Sequence, residues 1–104
     1  MNLEIQSRHV GLDPDWRDLI ERLSEGLSAH YPGLLRLHVT VSHGRHHRTG
    51  SEEVALLAND DGTPVRVAKV EANVHAAIRA AFQAMEIELA RLHPARRRVG
   101  GRQS

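Results

Sequence analysis

Three histidines and two arginines fall within six residues, His43-Gly44-Arg45-His46-His47-Arg48, the densest group of chemically able side chains in this sequence. Imidazoles ligate zinc, copper and nickel, and guanidinium groups fork onto phosphate or carboxylate. A structural zinc site needs four fixed ligands. This glycine-flanked segment contains no cysteine and no carboxylate to complete such a set. It reads as a polar loop facing solvent or phosphate, and no metal is expected. His75 is the other candidate, in the first turn of a helix beside Val74, Ala76, Ala77 and Ile78. An acid or base needs a nucleophile or positioning group and an orienting partner, and these neighbours supply neither. There is no phosphate-cradling glycine loop and no H-E-x-x-H. No catalytic residue, no cofactor and no enzyme activity are expected, and His75 should lie at the sheet edge beside the end of the fourth strand.

Charge is distributed unevenly. Residues 1–94 carry 10 Lys and Arg against 13 Asp and Glu, a balance of −3, whereas residues 95–104 carry Arg96, Arg97, Arg98 and Arg102 with no acid, a balance of +4. A mildly acidic body with a basic tail points to an anionic partner for the tail.

The elements that position these groups follow from periodicity. Met1, Leu3 and Ile5 alternate with polar residues, as in a half-buried strand. Asp13 is suited to cap a helix that Pro14 opens, and Asp15 and Asp18 favour its positive end. Leu12, Trp16, Leu19, Ile20, Leu23 and Leu27 keep helical spacing, which predicts a first helix from Pro14 to His30, ended by Pro32-Gly33. Leu35, Leu37, Val39 and Val41 alternate with Arg36, His38, Thr40 and Ser42 in a second strand. Val54 to Ala58 forms a third, Asn59-Asp60-Asp61-Gly62 a hairpin turn, and Val65 to Val70 a fourth. The inward face of that fourth strand is ambiguous, because Val65 and Val67 oppose Val70. Asn73 caps a second helix with the stripe Val74, Ile78, Ala81, Phe82, Met85, Leu89 and Leu92, which Pro94 stops. Its outward side is expected to present Ala76, Ala80, Gln83, Ile87 and Ala90.

The order β-α-β-β-β-α with one-sided elements implies an α+β fold, two helices packed on one face of a four-stranded sheet. At 104 residues, the chain makes one domain able to bury roughly 65% of its unfolded surface. Residues 1–94 form that domain and residues 95–104 a basic tail expected to be disordered. No apolar run approaches the ~20 residues of a membrane span, and the start lacks a signal peptide's basic and apolar regions. With no cysteines, the expected compartment is the cytoplasm.

Residues Asn73-Val74-His75-Ala76-Ala77-Ile78-Arg79 follow a strand and a short acidic turn. They are similar to the helix start of the ribosome hibernation factor family, also called the sigma-54 modulation family. There the helix opens with an acid, an apolar residue, a tyrosine, two alanines, an isoleucine and an aspartate. The alanines, isoleucine and spacing match, while His75 and Arg79 replace the tyrosine and aspartate. The amino-terminal alternation through Val10 and Leu12 also fits, and the likeness spans roughly residues 1–98. It resembles the short, single-domain type of hibernation promoting factor or ribosome-associated translation inhibitor. The resemblance implies a non-enzymatic protein that binds the RNA of the small ribosomal subunit in its decoding groove and blocks messenger and transfer RNA. Contact with RNA phosphates is then expected from Arg45, Arg48, Arg36, Arg66, Arg79, Arg91, Arg96, Arg97 and Arg98. The alternative is a protein-interaction or homodimerisation module using the neutral side of the second helix.

Overall fold

The computed structural model describes residues 1–8, 11, 13–43 and 51–93. Its elements are β1 (Asn2–Arg8), α1 (Pro14–His30), β2 (Leu34–His43), β3 (Glu52–Asp60), β4 (Thr63–Glu71) and α2 (Val74–Leu92). The expected order holds, as do the bounds of the first helix. The expected positions of Val10, Leu12 and Pro94, and the basic tail, lie outside the described residues.

The sheet runs β1-β2-β3-β4, with β1 parallel to β2 and the other pairs antiparallel. A parallel neighbour needs a crossover, and α1 provides it. Both helix starts are capped as their sequences require. Asp13 Oδ1 accepts from Asp15 N at 2.8 Å, and Asn73 Oδ1 accepts from Ala76 N at 2.8 Å. Both helices lie on one side, α2 over β3 and β4 and against α1. Ile20, Leu37, Val39, Val41, Val54, Leu56, Ile78, Met85 and Leu89 are fully buried between the layers. Each such side chain contributes about 1.5–3 kcal/mol relative to exposure.

Several details differ from the expected pattern or complete it. Pairing slips between Leu34 and Arg36, so Leu34 turns into the core and Leu35 is exposed. A β-bulge of this kind places two residues opposite one. The hairpin is tighter than expected. β3 continues to Asp60, and the reversal is made by Asp61 and Gly62, whose φ values are 53° and 92°. Gly62 N donates to Asn59 Oδ1 at 2.7 Å. On β4, Val65 and Val67 face the helices and Val70 is exposed, which resolves the ambiguity. On α2, Ala90 is buried and Leu92 exposed, the reverse of their expected sides. Trp16 and Leu23 only flank the core, partly buried.

Candidate nucleic-acid interface

Because side chains alternate along a strand, every second residue of the sheet faces away from the helices, and no described helix or strand covers that side. Cross-strand pairing sets these residues in rows. Asn2, Arg36, Asn59 and Pro64 form one, and Glu4, His38, Leu57 and Arg66 the next. Gln6, Thr40, Ala55 and Ala68 form a third, and Arg8, Ser42, Glu53 and Val70 the last. Thr40, Ala55 and Ala68 of the third row are short, so the surface is low there, with Arg36 and Arg66 toward one end, Arg8 at the other, and Glu4 and Glu53 on the same face. Arg36 and Arg66 stand two strands apart, roughly 10 Å across the sheet. A hollow of about 300 Å³ lies beside them, lined in part by Glu4, Arg36, His38 and Leu57. His38 is held by its neighbours on β1, with Nε2 3.3 Å from Gln6 Oε1 and Nδ1 3.9 Å from Glu4 Oε1. Neither Arg36 nor Arg66 has an ion-pair partner among the described residues.

The candidate arginines therefore separate. Arg36 and Arg66 share the open face. Arg79 lies on α2 at a groove facing α1. Arg91, at the end of α2, is paired with Glu88 at 3.0 Å on one exposed helix face. Arg45, Arg48, Arg96, Arg97 and Arg98 lie outside the described residues. Arg8, on the open face at the end of β1, was missed by the sequence reading, although the alternation of that strand already assigns it there.

The histidines are placed differently from the sequence reading. His43 ends β2 rather than opening the loop, and its Nδ1 lies 2.9 Å from Glu52 Oε2. The loop segment lacks a carboxylate, but its far end supplies one. No group of three His, Cys, Asp or Glu suited to a metal occurs among the described residues. His75 is exposed just beyond the end of β4. At the opposite end of the sheet, Asp60 was read as a turn residue and is instead buried. His93 Nε2 donates to its Oδ2, and the His93 ring lies 5.9 Å from that of Tyr31. No helix among the described residues is long and apolar enough to cross a membrane.

The molecule is thus a small α+β domain with two helices on one face of its sheet and Arg8, Arg36 and Arg66 on the other. The chain belongs to the sigma 54 modulation protein / S30EA ribosomal protein family, whose model matches residues 3–97, and is thus one of a ribosome-associated family. Two solved structures share the fold. A ribosomal subunit interface protein from Coxiella burnetii is 12% identical, with a TM-score of 0.79 over 88% of this chain and 97% of that one. The Protein Y N-terminal domain from Thermus thermophilus is 24% identical, with a TM-score of 0.77 over 89% of this chain and all of that one. No curated protein matched.

Proposed function

We propose that this protein binds the RNA of the small ribosomal subunit in the cytoplasm and silences translation by occupying the decoding groove, without catalysing a reaction. The observation that supports this best is family membership along nearly the whole chain, residues 3–97. The two structural neighbours carry a ribosomal name or the same fold at full length. Arg36 and Arg66, with Arg8 toward the other end of the same face, supply cations on a surface low enough for an RNA backbone to approach. Arg45, Arg48, Arg96, Arg97 and Arg98 extend that contact, and Arg79 and Arg91 add to it from α2. Each phosphate neutralised releases about one counterion, so binding must weaken steeply with salt.

Co-sedimentation with isolated small subunits across a salt series tests the reading. Association lost progressively as salt rises is the expected result. Association that ignores salt points instead to apolar docking through α2, where Ile87 is 55% exposed. That surface suits a protein partner or a second copy of the chain. No association at any salt concentration refutes ribosome binding.

A further inference from the structure

We propose that the hollow on the open sheet face seats one unpaired guanine base of an RNA strand. This rests on the RNA-binding reading above and deepens it, because it names the base that the face selects. The hollow measures about 300 Å³, and Glu4, Arg36, His38, Leu57, Asn59 and Pro64 are among its lining residues. That is the small end of the ~300–1,000 Å³ of small-molecule sites, which suits a single ring system.

Strand register sets the order of these groups. Glu4, His38, Leu57 and Arg66 are partners across all four strands. A carboxylate therefore belongs to one edge strand and a guanidinium group to the other, three strand spacings or roughly 14 Å apart. Between them stand the flat ring of His38 and the apolar side chain of Leu57, which is 39% exposed. Both ring nitrogens of His38 are turned to oxygens on β1, Nε2 to Gln6 Oε1 and Nδ1 to Glu4 Oε1. The faces of the ring are what remains for a ligand. Pro64 adds apolar surface from β4. Bases unstacked from an RNA strand are held by such surfaces and read along their hydrogen-bonding edges.

The polar groups decide which base. On a face that meets phosphates, the exposed Glu4 carboxylate opposes binding unless N–H groups reach it. At 3.9 Å from His38 Nδ1 it makes no hydrogen bond there, and it has no Lys or Arg partner among the described residues. Asn59 Oδ1 already accepts from Gly62 N at 2.7 Å, which leaves the Asn59 amide to donate. The hollow thus offers an acceptor from β1 and a donor from β3. Guanine complements both. Its N1–H and N2–H point together at one carboxylate, while O6 and N7 accept. Adenine and cytosine set a ring-nitrogen lone pair against the carboxylate beside their amino group. The single N3–H of uracil is flanked by two carbonyl oxygens, which the carboxylate repels. Arg36 and Arg66 have no ion-pair partner among the described residues, and both are left for the phosphates that flank the base.

Fluorescence anisotropy tests this with the intact protein and short labelled uridine strands that carry guanosine, adenosine, cytidine or uridine at the centre. The guanosine strand should bind about ten-fold tighter than the other three, as pairing of a side chain with the right base edge predicts. Glu4→Gln should remove most of that preference and bind the other strands at least as tightly as the parent protein, since a repelling charge has gone. His38→Ala should weaken the guanosine strand about five-fold or more through lost stacking. Circular dichroism and the thermal midpoint of both variants should match the parent, because both side chains lie on the open face. Equal binding of the four strands overturns the proposal, as does binding of none. So does a guanine preference that Glu4→Gln leaves intact, or GMP binding as tight as the guanosine strand, which would leave the flanking phosphates without a part. Co-sedimentation of the parent protein with small subunits reads the earlier proposal separately. Where it persists without a guanine preference, the face meets phosphates alone and only the base pocket fails.

Discussion

On one side of the sheet, Leu37, Val39, Val41, Val54 and Leu56 are wholly buried beneath two helices; one residue along each strand, Arg36, His38, Thr40, Ala55 and Leu57 face solvent. The same backbone thus carries two surfaces with separate tasks. On the covered side, burial fixes pairing register, because a one-residue slip would drive the apolar set into water. On the open side almost nothing constrains residue type, which leaves it available for charge. Stability and binding should therefore respond to different alternate positions of one strand.

The sharpest test sits at adjacent residues. Leu56→Ala should lower unfolding free energy by about 2–5 kcal/mol in a denaturant titration, whereas Leu57→Ala, 39% exposed, should lower it by under about 1 kcal/mol. Equal losses would erase the distinction between the faces.

The polar fastenings of the covered side come next. His93→Ala leaves both carboxylate oxygens of buried Asp60 without a partner in the described structure, and should cost about 1–3 kcal/mol. A thermal melt unchanged from the parent protein would show that water satisfies Asp60 equally well. Asn73→Ala removes the cap of α2 and should cost about 1 kcal/mol. Serine at the same position should recover most of it, because its hydroxyl also accepts from the helix N–H.

On the open side, Arg36→Ala and Arg66→Ala should each change folding stability by no more than about 0.5 kcal/mol. If both touch phosphate, each should also reduce the slope of log affinity against log salt for small subunits by roughly 0.7–0.9. An unchanged slope would remove this face from the interface while leaving the fold argument intact.

Much of this architecture is legible in the sequence because periodicity and caps are local. Pro14 and Asp13 mark the start of α1, and the spacing from Trp16 to Leu27 gives its buried side. Asn73 does the same for α2. The errors arise where distant parts of the chain meet. Asp60 has the composition of a turn residue, but its burial depends on His93, 33 positions away. Leu35 fits the alternation of β2, but the partner strand accommodates an extra residue there. Of the candidate arginines, the strand pattern assigns Arg36 and Arg66 to one face and applies equally to Arg8.

The slip at Leu34 and Arg36 has a consequence for how chain length can vary in this fold. A strand is read two residues at a time, and Leu35 acts as a rest between beats. With it removed, Leu34, Arg36 and Leu37 still fall inward, outward and inward, so both faces keep their composition. Removing His38 instead reverses every position beyond it, sending Val39 and Val41 to solvent and Thr40 and Ser42 into the core. Insertions and deletions in β2 should therefore gather at this one place, where the count of residues is loose and the phase of the strand is not.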